Sequence, residues 1–303
     1  MLDNEKFAIE KNSNIFQKNL SLDELKSLST FLSKIFKKNL NFQFKNKFST
    51  EFLNWLYNEN PNGKAITNSV YDDEKIIAHF ALIPISVIYK NEIYKSALSV
   101  FTAVDENNRG LYFFHKLASK SFELAKSNGI RFVIGVSNQV SSELFVKCFK
   151  FKLISPLDVK IGLSNFNEKN DLPHIFEIFK DNKTLRWRLN NPRFKYQIYK
   201  YNKSKKNIIF NNHYKLFKIH MGYISNKDLD FQNEIYLKKS YNLNPFNMWI
   251  GLNNNLENEL MTFNFPQILK PSSLNLIIKD LSSEETNLNK KDIKFNLIDF
   301  EIF

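Results

Sequence analysis

The sequence is poor in the residues that build disulfides and metal sites. Its 303 residues include one cysteine, Cys148, which excludes an internal disulfide or a cysteine-based zinc site and favours a reducing compartment. Cys148 lies in a helical pattern, so we expect it to pack in a core rather than act as a nucleophile. His174, His213 and His220 show no ligand-like spacing and no carboxylate pairing, and we predict no metal site.

Long apolar runs are also missing. The longest, residues 79–89, is about half of the ~20 residues that a membrane span needs, and Pro84 interrupts it. The first residues are mixed in charge and lack the basic-then-apolar plan of a signal peptide. These patterns predict no membrane span, and we expect a cytoplasmic protein.

Positive charge is in excess, with 43 Lys and Arg against 31 Asp and Glu and a formal net charge of +12. Such a charge can indicate a polyanionic partner. Here lysine and asparagine are spread through every segment, and no aromatic stacking pattern is interleaved with the lysine clusters. We therefore do not expect a nucleic acid partner, and the oligomeric state stays open.

Hydrophobic residues make up 43% of the chain and 30 residues are Phe, enough to bury one large or two moderate cores. Periodicity and turn residues indicate a defined order of elements. The predicted helices are 21–39, 52–57, 111–127 and 141–149, and the predicted strands are 65–71, 75–83, 85–89, 96–104, 131–136 and 153–161. This order predicts an α+β (mixed α/β) fold with a mixed sheet.

Two short segments resemble each other. Residues 53–61 read LNWLYNENP and residues 185–192 read LRWRLNNP, each after a helical stretch and before a strand-like run. Because the chain holds only three tryptophans, we predict two related halves, 1–163 and 164–303. The alternative is that each tryptophan anchors a helix to its own local core.

Residues 104–118, VDENNRGLYFFHKLA, run from the end of a strand through a short turn into a helix. The first turn of a helix presents unpaired N–H groups and the positive end of the dipole, which favour a pyrophosphate. The segment resembles the signature of the GNAT N-acetyltransferase superfamily, in which RGxG follows the fourth strand. Arg109 and Gly110 match this motif, Leu111 takes its variable position and Tyr112 replaces its second glycine, so the acyl-CoA loop is divergent.

The continuation of the chain is similar to the same family. Strand 131–136 ends beside Ser137 and Asn138, and the next helix closes on Lys150 and Phe151 where the family has a Gly-Phe pair. The resemblance implies a twisted, mostly antiparallel sheet whose fifth strand splays from the fourth, so that acyl-CoA pairs with the exposed edge. The cofactor-binding residues that it implies are Val104, Arg109, Gly110, Leu111, Tyr112, Phe113, Ser137, Asn138 and Phe145. The second half holds only two glycines, outside any phosphate-binding context, and we predict that it binds no second coenzyme A.

Acyl transfer to an amine requires a general base that removes a proton from the acceptor. The candidates are Asp105 and Glu106, just past the fourth strand, and His79 on the second strand. The alternatives are solvated turn residues for the two carboxylates and a hydrogen-bonded core histidine for His79. Phe145 stands where the family commonly has a tyrosine that protonates the departing thiolate, and it has no proton to donate.

The resemblance implies an acyl-CoA-dependent N-acyltransferase that moves an acyl group other than an aminoacyl group. Acetyl-CoA, or another acyl-CoA, would be the donor, without a metal, and a small-molecule amine such as an amino sugar would be the acceptor. Two other functions stay open. Tyr112 and Phe145 are compatible with a non-catalytic binding or scaffold protein, and the basic charge is compatible with an aminoacyl-tRNA-dependent, peptidyltransferase-like enzyme.

Overall fold

The structure is a computed structural model, which describes residues 13–16, 18–36, 47–163, 165–168, 174–199, 206–211, 217–225, 246–258, 262–265, 273–282, 284 and 286–300. The end of the first predicted helix, 37–39, and His213 lie outside these residues. The helices are α1 (Leu22–Phe36), α2 (Thr50–Tyr57), α3 (Leu111–Ser127), α4 (Gln139–Phe149), α5 (Asn182–Leu189) and α6 (Leu297–Phe300).

Seventeen strands are present in the described part of the chain. They are β1 (Ser13–Phe16), β2 (Ile66–Asp72), β3 (Lys75–Tyr89), β4 (Glu92–Val104), β5 (Phe132–Ser137), β6 (Lys152–Pro156), β7 (Asp158–Gly162), β8 (Phe166–Glu168), β9 (Phe176–Phe179), β10 (Tyr196–Tyr199), β11 (Lys206–Asn211), β12 (Phe217–Ser225), β13 (Phe246–Leu252), β14 (Leu256–Asn258), β15 (Thr262–Asn264), β16 (Asn275–Asp280) and β17 (Ile293–Asn296).

Helix ends follow the sequence signals. At α1, the Ser21 N–H donates to Glu24 Oε2 at 2.7 Å and the Glu24 N–H donates to Ser21 Oγ at 3.2 Å, which forms the capping box. Helix α3 has the predicted bounds, and Gly129 follows it with φ of +77°. Glycine adopts this left-handed conformation without steric cost, so the chain can turn directly into β5.

Fifteen of these strands form one mixed sheet with the central order β10-β11-β12-β13-β17-β9-β3-β4-β5-β16-β6. Most neighbours are antiparallel, and three pairs are parallel: β4 with β5, β12 with β13, and β9 with β17. Side chains of β3 alternate between the two faces. Ala81, Ile83 and Ile85 pack in the core beneath α1 and α2, whereas Phe80 and Leu82 pack in the core beneath α3 and α4. The mixed sheet flanked by helices confirms the predicted fold class.

Two predicted strand boundaries are wrong. Residues 75–83 and 85–89 form the single strand β3, in which Pro84 pairs with Ala97 of β4. On its other side, β3 pairs with β2 up to Leu82 and with β9 from Ser86, so the proline lies at the change of neighbour, where no partner needs its missing N–H. The predicted strand 153–161 is divided into β6 and β7, which join different strands.

The two tryptophans of the similar segments meet in the core. The Trp55 and Trp187 rings stack with centroids 4.6 Å apart, and each indole N–H donates to the backbone carbonyl of the other residue at 2.9 Å. The turns that follow the two helices also match. The Asn62 N–H donates to Asn60 Oδ1, and the Arg193 N–H donates to Asn191 Oδ1.

The order of elements after each tryptophan is also similar. After α2, β2, β3 and β4 form an antiparallel meander and β4 pairs in parallel with β5; after α5, β10, β11 and β12 do the same and β12 pairs in parallel with β13. Strand β7 pairs with β13, and β16 pairs with β5, so each part of the chain contributes a strand beside the other's parallel pair.

Helix α6 packs against the second parallel pair. Ile298 belongs to a buried cluster with Ile219 and Met221 of β12, and its Cγ2 would lie 3.0 Å from a Cβ built on Gly222. Within the described residues, no helix is long and apolar enough to cross a membrane, and no group of three potential metal ligands comes together.

Candidate functional site

The first parallel pair opens in the middle of the sheet. Strands β4 and β5 pair from Ser96 with Phe132 to Ser99 with Gly135, and the pairing ends there although both strands continue. The open edges leave peptide groups available to a ligand that lies between the two strands. The sequence-based prediction of a splay between these strands matches this geometry.

A β-bulge lies where the strands part. Val100 faces Ala81 of β3 and Ala103 faces His79, so Phe101 and Thr102 together face one residue. Phe101 has φ of +50°, a left-handed conformation that bulky residues rarely adopt. Backbone of this kind persists only where the surrounding structure holds it, and it concentrates at functional sites.

A cavity of about 190 Å³ occupies the opening. Most of its wall is apolar and includes five phenylalanines: Phe36, Phe48, Phe101, Phe145 and Phe300. Its polar wall includes Ser99, Thr102, Ser137, Asn138 and Ser141. The Ser137 Oγ atom is buried and has no hydrogen-bond partner among the described residues, so a ligand in the cavity can satisfy it.

Helix α3 begins beside this opening, because β4 leads through the short turn 105–109 into its N-terminus. Gly110 is the N-cap residue, with φ of +157° and no side-chain cap, so the first N–H groups of α3 have no capping acceptor there. A Cβ built on Gly110 would meet nothing described within 4 Å. A 17-residue helix with an open N-terminus can bind an anionic group.

The remaining predicted loop residues lie around this helix end. Arg109 forms an exposed ion pair with Glu106 at 3.4 Å, and Leu111 is 55% exposed. Tyr112 is 42% exposed and its ring lies along the helix, 5.3 Å from the Phe113 ring and 5.7 Å from Lys116 Nζ. Phe113 is buried in the core, so only its backbone can reach a ligand at the helix end.

The second group of predicted residues lies in the cavity wall. Asn138 is the N-cap of α4 and its Oδ1 accepts the Ser141 N–H at 2.9 Å. Phe145 is 4% exposed and packs edge-on against Phe114 and Phe151. The fold therefore brings together Ser137, Asn138 and Phe145 at the cavity, whereas Val104 lies in β4 opposite Ala78.

None of the three predicted bases belongs to the cavity wall that the structure describes. Asp105 accepts Lys34 Nζ at 2.7 Å, and this ion pair and the Asn107 N–H lower the pKa of its carboxyl. His79 is 1% exposed and forms hydrogen bonds with Tyr57 Oη at 3.1 Å and Ser69 Oγ at 2.8 Å. Burial lowers the pKa of His79 to about 3, so its ring is neutral at pH 7.

Several residues of the cavity wall were not predicted from the sequence. Phe36, Lys47, Phe48, Ile277 and Phe300 come from four distant parts of the chain, and no local motif marks them. Lys47 is the one with a titratable side chain. Its pKa is lowered to about 8, first by burial and then by the nearby charge of Arg193.

The mixed sheet and the opened parallel pair are the arrangement that the family resemblance implies. Residues 23–143 match the family model of the acetyltransferase (GNAT) domain, a span that includes the open helix end and Asn138. This match identifies a GNAT domain within the first part of the chain.

Two solved structures share the fold over 89% of this chain and 73% of their own. One is a conserved protein of unknown function from Enterococcus faecalis V583, described as a probable N-acyltransferase, with 9% identity and a TM-score of 0.55. The other is a GCN5-related N-acetyltransferase from Anabaena variabilis ATCC 29413, with 10% identity and a TM-score of 0.57. At this level of identity they bear on the fold alone.

A curated relative comes from Melanoplus sanguinipes entomopoxvirus. It is provisionally named a glycylpeptide N-tetradecanoyltransferase and is 25% identical over 205 residues, which cover 66% of this chain. The match spans only 65% of the length of that relative.

Proposed function

We propose that this protein is an N-acyltransferase that moves an acyl group from acyl-CoA to a primary amine. The observation that carries the proposal is the opening between β4 and β5 beside the uncapped N-terminus of α3. Pyrophosphate would bind the N–H groups that follow Gly110. The pantetheine arm would lie along the strand edges, where Ser137 Oγ lacks a partner among the described residues.

The cavity wall favours an apolar acyl group. Five phenylalanine side chains surround a space that an acetyl group would fill only in small part. Each buried methylene contributes roughly 0.8 kcal/mol to the binding free energy, so a longer acyl chain should bind more tightly to this apolar wall. The name of the poxvirus relative points in the same direction. We therefore infer a fatty acyl donor in preference to the acetyl donor that the family resemblance implies.

The acceptor nitrogen would attack the thioester carbon at the opening. The bulge at Phe101 and Thr102 sets two residues against one of β3, and a peptide N–H that the ladder does not use there could polarise the thioester oxygen. Phe145 offers no proton to the sulfur, so the thiolate would leave without an acid from this position. The acceptor classes to compare are a glycyl peptide, after the poxvirus relative, and an amino sugar, after the family resemblance.

The two proposed halves of the chain would have different roles. The stacked tryptophans, the matched turns and the exchanged strands support two related halves, 1–163 and 164–303. Since α6 packs on the second parallel pair, we infer that only the first pair receives acyl-CoA. Phe300 of α6 lines the first cavity, so the second half would complete its wall.

A non-catalytic binding protein is the second candidate, favoured by Phe145 at the position of the acid. Measurement of thiol release distinguishes an acyltransferase from a non-catalytic binding protein. The protein is incubated with acetyl-, octanoyl- or tetradecanoyl-CoA and with a glycyl peptide or glucosamine, and free thiol and acylated product are measured. Turnover fastest with the longer chains supports the proposal. An N-acetylated peptide is the matched control, and acyl-CoA binding without turnover on any acceptor would favour the binding protein.

A further inference from the structure

One titratable side chain belongs to the cavity wall that the structure describes, that of Lys47. Lys47 lies two residues before Ser49, the N-cap of α2, and faces the same space as Ser99, Ser137 and Asn138. An acyl group held in that space would lie beside the lysine. Lys47 is therefore the ionisable group best placed for the reaction inferred above.

The Lys47 ammonium is partly buried, and its charge is not balanced by a carboxylate in the described part of the chain. Its Nζ lies 5.7 Å from the centroid of the Phe48 ring, and no carboxylate in the described part of the chain forms an ion pair with it. Arg193 stacks on the Phe52 ring at 3.6 Å and donates to the Lys47 carbonyl at 3.4 Å. This guanidinium is the charged group that acts on Lys47.

These surroundings shift Lys47 towards its amine form. Burial and the positive charge of Arg193 both disfavour the ammonium, and they lower the pKa of Lys47 from its ordinary value to about 8. An α-amino group has a pKa of about 7.7–8.0, so proton exchange between such an acceptor and Lys47 is nearly balanced. A base of this strength is partly deprotonated at neutral pH, which suits general base catalysis.

We propose that Lys47 is the general base of the acyl transfer. The inference rests on the proposed function. In its amine form, Lys47 Nζ takes one proton from the acceptor ammonium, and the freed nitrogen lone pair attacks the thioester carbon. The new N–C bond forms, the C–S bond breaks and sulfur leaves with the electron pair. The second acceptor proton goes to the thiolate, and Lys47 later releases its proton to water.

The earlier candidates are less suited to this step. Asp105 and Glu106 are held in ion pairs with Lys34 and Arg109, outside the cavity wall. Both ring nitrogens of His79 are engaged in hydrogen bonds inside the core.

The test compares Lys47→Arg and Lys47→Met with the wild type and with Lys75→Met, a substitution at the exposed lysine that begins β3. Arg keeps the positive charge but stays protonated, so it separates a base from a charge that binds substrate. With a glycyl peptide, thiol release should fall by roughly 100-fold or more in both Lys47 variants, the range of general base effects. Binding of tetradecanoyl-CoA by calorimetry should change little, and Lys75→Met should match the wild type.

Methoxyamine as the acceptor gives the second readout. Its nitrogen is uncharged at neutral pH, so no proton must be removed before attack, and the loss in the Lys47 variants should shrink to less than about tenfold. Full activity of Lys47→Arg, an equal loss with both acceptors, or mass-spectrometric acylation of Lys47 itself would overturn the inference. If the wild type releases no thiol from any acyl-CoA, both the proposed function and the role of Lys47 are wrong. If the wild type and Lys47→Arg both turn over, only the role of Lys47 is wrong.

Discussion

Replacement of Trp187 by alanine tests how the two parts of the chain are joined. Trp187 is 7% exposed and Trp55 is 4% exposed, and they stack at 4.6 Å while each indole N–H donates to the other's carbonyl. The substitution removes a buried ring and leaves the Trp55 carbonyl without its donor. Large-to-small changes at buried tryptophans cost about 3–5 kcal/mol, so the free energy of unfolding should fall by at least that lower figure.

The interaction between the two rings can be measured separately. An aromatic pair contributes about 0.5–1.5 kcal/mol beyond its burial, and each hydrogen bond about 1 kcal/mol net. Each hydrogen bond ends on a backbone carbonyl that alanine keeps, so the two bonds cancel in a double-mutant cycle of Trp55→Ala and Trp187→Ala. The cycle should therefore give the coupling energy of the ring pair alone, about 0.5–1.5 kcal/mol. Urea unfolding followed by circular dichroism measures it without relying on the fluorescence of the replaced residues.

Trp249 supplies the matched control. It is 1% exposed, and in the described part of the chain no ring contact joins it to either indole. Trp55→Ala with Trp249→Ala should be additive to within about 0.5 kcal/mol. A Trp55 and Trp187 coupling as small as that of the control pair would refute the role of the stacked pair in joining the two parts.

Three further predictions concern the site and its surroundings. Phe145→Tyr should raise turnover by about tenfold, because the phenol can protonate the departing thiolate. An unchanged rate of thiol release would contradict the inference that the thiolate leaves the wild-type protein without help from an acid. Gly110→Ala should weaken acyl-CoA binding by about tenfold in calorimetry, because alanine disfavours φ of +157°, whereas Leu111→Ala should bind normally. Burial lowers the pKa of His79 to about 3, so its contribution to stability is complete above pH 6.5 and is lost as pH falls towards 3. Between pH 7 and pH 5 the protonation of His79 in the unfolded chain should lower the free energy of unfolding, measured in urea, by about 2 kcal/mol. A His79→Gln variant whose free energy of unfolding falls as steeply with pH as that of the wild type would contradict this.

Local patterns predict the elements that depend on neighbouring residues. Helix α3 has its predicted bounds because Gly110 and Gly129 mark both ends and an apolar stripe fixes the buried face. Strand partners depend on distant residues. Nothing in 152–162 reveals that β6 and β7 join different strands, and the effect of Pro84 depends on where β2 ends and β9 begins.

The same limit applies to the candidate site. Ser137, Asn138 and Phe145 follow from a motif that is contiguous in sequence, and they lie together in the cavity wall. Lys47 and Phe300 reach that wall from positions about 250 residues apart, and only the folded chain brings them together. The lowered pKa of Lys47 likewise depends on burial and on Arg193, which no sequence window around residue 47 includes.

A crystal structure with a non-hydrolysable tetradecanoyl-CoA analogue would test the proposed acyl-CoA site directly. We expect pyrophosphate at the N–H groups of residues 110–113, the pantetheine arm between β4 and β5, and the acyl chain among Phe36, Phe48, Phe101 and Phe300. The sulfur should lie near the bulge at Phe101, within reach of Lys47. An analogue bound elsewhere on the protein, or an opening that stays closed to it at saturating concentration, would contradict the proposed mode of acyl-CoA binding.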